Sequence, residues 1–138
     1  MGEGPLGVVV WGTGNMGRAA IAAVDAHPGL DLAAVLVRDP AKVGRDAGSL
    51  AGLDREIGVA ATDDLDAVLA GGPDAVAYMA SGDVRPDAAL DDVCRALSAG
   101  AVVVTPAIYA LYDPRNAPGA MIERATAAAV EGDRKSVV

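Results

Sequence analysis

The chain alternates short, unbroken apolar runs with longer stretches in which apolar positions return every three or four residues. Leu6–Trp11 (LGVVVW) is a β-branched run that stops at a glycine, the pattern of a strand buried on both faces. Asn15–Ala26 follows, with Met16, Ala19, Ala20, Ala23 and Val24 at helical spacing. His27-Pro28-Gly29 closes it, because proline cannot continue a helix and glycine suits the turn. The alternation then predicts a second strand over Leu30–Val37 and a loop with short helical turns over Pro40–Leu53. A brief third strand over Ile57–Ala61 and a helix over Asp63–Leu69, capped by Thr62 or Asp63, come next. Gly71-Gly72-Pro73 punctuates the chain before a fourth strand over Ala75–Met79. A helix over Pro86–Ala99 places Leu90, Val93, Cys94 and Leu97 on one face. A fifth strand over Ala101–Thr105, a long loop over Ile108–Pro118 and a last helix over Met121–Val130 complete the pattern. Strand and helix taking turns predicts an α/β fold, a parallel sheet with helices on both faces.

Composition narrows what such a fold can be for. Of 138 residues, 52% are apolar and 22% charged, which is the balance of a folded domain. There is no Phe and only 3% of residues are aromatic, so the core must be built from Ala, Val, Leu and Ile. Nineteen acids against eleven bases give a net charge of −8, which argues against a nucleic-acid partner held by phosphate neutralisation. No apolar run reaches the length of a membrane span, and the amino terminus lacks the basic head of a signal peptide. Leu6 stands where a myristoylation signal needs Ser or Thr. One cysteine, Cys94, excludes an internal disulfide, and one histidine, His27, argues against a zinc site. The expectation is an acidic, soluble, cytoplasmic domain with no metal.

The candidate chemistry lies in Gly12-Thr13-Gly14-Asn15-Met16-Gly17, a GxGxxG motif. Among 17 glycines the pattern alone is weak, but here it follows a buried strand and opens a helix. Gly12 makes the tight turn, Gly14 lets backbone approach a pyrophosphate, and Gly17 lets the helix pack closely on the strand. The helix N-terminus then offers N–H donors to the phosphates, with Thr13, Asn15 and Met16 in the same turn. About 20 residues on, where the ribose is read, stands Val37-Arg38-Asp39-Pro40 with Lys42 close by. Arg38 is placed to pair with a 2′-phosphate, which favours NADP(H). Asp39 is either the ribose acid of an NAD(H) site or the cap of the following turn. Ser81 and Gly82, after the fourth strand, and Thr105, after the fifth, would border the nicotinamide half at the carboxyl ends of the strands. His27 reads as a surface helix end, Cys94 as core, and Tyr109 and Tyr112 as packing residues of the long loop. No catalytic acid, base or nucleophile can be assembled from the residues.

The segment Val8-Val9-Val10-Trp11-Gly12-Thr13-Gly14-Asn15-Met16-Gly17-Arg18 resembles the opening of a bacterial family related to dihydrodipicolinate reductase. That family includes 2,4-diaminopentanoate dehydrogenases and amine dehydrogenase-like enzymes. The likeness continues through Val43-Gly44-Arg45-Asp46-Ala47-Gly48 and Leu53, through Gly58–Asp64, and through Tyr78-Met79-Ala80-Ser81-Gly82. The resemblance implies a Rossmann-type, doubly wound domain that binds NAD(P)H. It also implies a parent oxidoreductase that transfers hydride to or from the carbon of a C=N or C–NH₂ group of a small amine or imine, and that works as a homo-oligomer. Thr105-Pro106-Ala107-Ile108-Tyr109 departs from the glycine-threonine loop of the lysine-pathway reductase, which speaks against that activity.

Residues 1–132 read as the amino-terminal NAD(P)-binding domain, with the substrate and dimerisation domain missing. Asp133–Val138 reads as a non-native tail, the translation of a sequencing-adapter string. A chain so shortened is expected to bind dinucleotide weakly and to be inactive alone. The alternative is a stand-alone regulatory module that senses a dinucleotide or a CoA without catalysis.

Overall fold

The computed structural model describes residues 4–80, 86–106 and 119–132. Four strands form one parallel sheet: β1 (Leu6–Trp11), β2 (Leu30–Leu36), β3 (Ala75–Tyr78) and β4 (Val102–Val104), in the order β2-β1-β3-β4. Between them run α1 (Asn15–Ala26), a 3₁₀ turn (Pro40–Lys42), α2 (Ala47–Leu50), α3 (Leu65–Ala70) and α4 (Pro86–Ser98), and α5 (Gly119–Glu131) follows β4. The order of strands, the parallel pairing and the helices on two faces make this a Rossmann-type sheet.

The period-two alternation of β1 builds two cores. Val8 and Val10 face α1 and α2, joining Ile21, Val24, Val35 and Leu50. Val9 and Trp11 face the other way, joining Val76, Tyr78, Val103 and the buried faces of α4 and α5. In place of phenylalanine the second core has, among the described residues, one aromatic contact, Trp11 edge-on to Tyr78 with centroids 5.0 Å apart. On α4, Leu90, Val93, Cys94 and Leu97 are all buried, as the pattern predicts. On α5 the buried residues are Ala125, Ala128 and Ala129, whose small side chains let it lie close against α4.

Three local expectations need correction. The buried stripe of α1 is Gly17, Ile21 and Val24, while Met16 is 56% exposed. The stripe is set by the residue without a side chain, which alone can approach the strand's end, and not by the most apolar residue of the first turn. The third strand over Ile57–Ala61 does not form. Only Thr62 reaches β2, donating its N–H to Val35 O and accepting from Val37 N at 2.9 Å each. Upstream, the backbone of Val59 and Ala61 is spent on Gly44, Arg45 and Ala47, so the segment folds against a loop instead of extending the sheet. Finally, α3 is capped by Asp64, which accepts from Ala67 N at 3.1 Å, and not by Thr62 or Asp63. The expected loop over 108–118, with Tyr109 and Tyr112, and the tail 133–138 lie outside the described residues.

Candidate functional site

The three glycines of the turn between β1 and α1 have three different surroundings. Gly12 has φ +103°, and a Cβ there would stand 2.8 Å from Ala80 N. A Cβ on Gly17 would stand 1.9 Å from Gly12 O, so the helix rests directly on the turn. Gly14 has open space around its Cβ position and an extended backbone, φ −74° and ψ −160°. Backbone geometry therefore demands glycine at Gly12 and Gly17, but nothing among the described residues demands it at Gly14.

Gly14 is also the N-cap of α1. Among the described residues no side chain caps this helix, and its first turn has no acid. The first intrahelical bond runs from Arg18 N to Gly14 O at 2.9 Å, so the N–H groups ahead of it have no carbonyl partner within the helix. The uncapped donors and the helix dipole present positive potential at the sheet's carboxyl edge.

A cleft of about 220 Å³ opens there, lined by Gly12, Thr13 and Gly14 on one side and by Val37, Arg38, Asp39 and Lys42 on the other, with Trp11, Leu36 and Ala80 contributing. Lys42 crosses it, its Nζ donating to Thr13 Oγ1 at 3.0 Å. Asp39 accepts from Ala41 N at 2.9 Å through Oδ1 and so caps the 3₁₀ turn. Arg38 pairs with Asp92 of α4 at 2.5 Å, and the buried Tyr78 hydroxyl donates to the same carboxylate oxygen at 2.8 Å.

Gly12, Thr13, Gly14, Arg38 and Lys42 thus line one cleft, and Gly17 packs on Gly12 O behind it. Asn15 and Met16 stand exposed on the first turn of α1. Thr105 follows β4, half-buried and two strands from the glycine turn. Ser81 and Gly82 lie outside the described residues. Sequence reasoning missed Asp92 and Tyr78, which are far from the motif in the chain. The only signal was an acid, Asp92, following Asp91 in a helix with a strong apolar face.

It also missed Asp46. Its carboxylate accepts from Gly48 N, Ile57 N and Gly58 N at 2.8, 2.9 and 2.8 Å. The Ile57 N–H above all, helped by those of Gly58, Gly48 and Val59 against partial burial, holds this carboxyl below its ordinary value of 3.8. The Val43–Gly48 stretch is therefore a knot that shapes the loop beside the cleft, not part of the cleft lining. A larger groove, about 790 Å³, opens between α3, α4 and α5. Its charges are satisfied as Arg95–Asp66 and Arg124–Asp91 ion pairs, and no residue of the glycine turn lines it. Cys94 at its wall is buried, which pushes its thiol up, away from nucleophilic form.

Residues 6–104 match the family described as dihydrodipicolinate reductase, N-terminus. The chain belongs to this family. It is 63% identical over 127 residues to an amine dehydrogenase of Streptomyces virginiae, covering 92% of this chain and 35% of that protein. It therefore spans about a third of the length of that curated relative. Among solved structures, an amine dehydrogenase from Mycobacterium smegmatis superposes with a TM-score of 0.78 at 28% identity, over 94% of this chain and 38% of that one. GenD2 from gentamicin A biosynthesis, solved in complex with NAD, superposes with a TM-score of 0.65 at 25% identity, over 95% of this chain and 33% of its own. Among the described residues no helix is long and apolar enough to cross a membrane.

Proposed function

We propose that this chain is the dinucleotide-binding part of an NAD(P)-dependent oxidoreductase acting on the C=N or C–NH₂ carbon of a small amine or imine. The observation that carries the reading is Gly14. It is a glycine that no described residue requires, at a helix N-terminus that no described side chain caps, lining a cleft with a lysine across it. A pyrophosphate needs that combination: backbone donors, room for close approach and no competing side chain.

Gly12, Gly14 and Gly17, with the N–H groups of Thr13–Met16, would hold the pyrophosphate, and Lys42 would add charge from the far wall. Arg38 would meet a 2′-phosphate, so NADP(H) is favoured over NAD(H). Ser81, Gly82 and Thr105 would border the nicotinamide half. The bound dinucleotide would supply hydride transfer, and the chain's own part is to grip, orient and neutralise charge. The amine or imine assignment is supported by the two amine dehydrogenases named above, and the NAD bound to GenD2 supports a dinucleotide in this cleft.

The test is a chimera. The corresponding segment of the Streptomyces virginiae protein is replaced by this chain, and amine-dependent reduction of NAD(P)⁺ is followed. Retained turnover is expected. A folded chimera that binds dinucleotide but turns over no amine would end the amine reading, and one that binds no dinucleotide would end the cofactor reading too.

A further inference from the structure

We infer that Asp92 is a specificity-determining residue for the dinucleotide: it tethers Arg38 and so weakens the grip on a 2′-phosphate. The inference rests on the placement of Arg38 proposed above.

Asp91 and Asp92 are neighbours on α4 but point about 100° apart around the helix axis, as any adjacent helical pair must. Asp91 turns towards α5, pairs with Arg124 and is 61% exposed. Asp92 turns towards the end of the sheet and is 16% exposed. Its position is fixed from inside the protein, because the Tyr78 hydroxyl that holds it belongs to a side chain only 1% exposed. Arg38, on the loop after β2, is 44% exposed, so the arginine is the less confined partner of the pair. Arg38 lines the cleft, and its guanidinium is held by Asp92.

A 2′-phosphate entering the cleft has to share or displace that contact, and it brings negative charge towards a fixed carboxylate. A free 2′-hydroxyl carries no charge and meets neither obstacle. Asp92 therefore lowers affinity for the phosphorylated dinucleotide selectively, through Arg38. The pair is partly exposed, so the effect is moderate and screened by salt.

The experiment measures NADP⁺ and NAD⁺ affinities of the 138-residue chain by calorimetry for wild type, D92N, D92E, R38A and the R38A/D92N double variant. D92N is expected to raise the NADP⁺/NAD⁺ affinity ratio roughly three- to tenfold at low salt. D92E is expected to return it towards wild type. In the R38A background the same change is expected to move the ratio by less than about twofold, because the coupling runs through Arg38. An unchanged ratio in D92N, with a lowered one in R38A, overturns the tether and leaves the 2′-phosphate reading standing. An unchanged ratio in R38A overturns both. An equal rise in both backgrounds overturns the tether in favour of direct repulsion. Arg38 side-chain resonances in the wild-type chain give a readout that needs no substitution: they are expected to shift with NADP⁺ and not with NAD⁺. Equal shifts with both overturn the inference.

Discussion

Two loops leave the carboxyl edge of this sheet and treat their backbone donors in opposite ways. The loop over residues 44–58 closes on itself, with one carboxylate, Asp46, collecting three N–H groups from both ends of the segment. The turn over residues 12–17 has no such side chain among the described residues, and none of them caps α1. Both loops use glycine, but for different ends. In the first, Gly48 makes room for a backbone, since a Cβ would meet Arg55 O at 2.1 Å. In the second, Gly14 makes room for nothing among the described residues. A closed loop is finished by its own side chains, and the open one is left with the donors that the proposed dinucleotide would take.

The sharpest way to break this comparison is at Gly17. Placing a methyl group 1.9 Å from Gly12 O forces the helix off the turn, so Gly17→Ala is expected to cost about 3 kcal/mol or more, or to prevent folding. A wild-type urea midpoint in that variant would mean the contact is not tight.

Asp46→Asn comes next and carries a pH signature. The carboxyl of Asp46 is held below 3.8 in the folded chain, so its ionised form stabilises the fold above the unfolded-state value and loses that contribution as pH falls through the lowered one. The gap between wild-type and variant midpoints is expected to be full at neutral pH and to close below pH 3.8. A gap independent of pH would assign the effect to shape instead of charge.

Gly14→Ser separates the two loops most directly. Serine is a good N-cap, so stability is expected to rise by a few tenths of a kcal/mol. Dinucleotide affinity is expected to fall at least about tenfold, because the side chain fills the space and takes the donors. Affinity unchanged in a well-folded variant would remove Gly14 from the site. The smallest effect belongs to the larger groove. Asp66 and Arg95 are 84% and 51% exposed, and Asp66→Asn is expected to change stability by less than about 0.5 kcal/mol and binding not at all.

What could be read from the sequence follows the same division. β1, α1 and the glycine turn were legible because period, β-branching and glycine spacing are local signals that agree with one another. The family likeness was legible for the same reason, and residues 6–104 match that family. The strand expected over 57–61 was not, because its backbone is captured by Gly44, Arg45 and Ala47, and no local pattern reveals which of two neighbours a segment will bond. The roles of Asp46, Asp92 and Tyr78 were not legible because their partners lie far along the chain. Asp92 serves an arginine 54 positions away in the chain.

The contact between Trp11 and Tyr78 has an optical consequence. The chain has one tryptophan, 5% exposed, edge-on to Tyr78 and part of the cleft wall. Its emission should be that of a shielded indole, with no other indole to dilute it. Anything aromatic or charged entering the cleft alters that single signal, and so does the loss of the sheet behind it. Occupancy and integrity can therefore be followed on the native chain without a label.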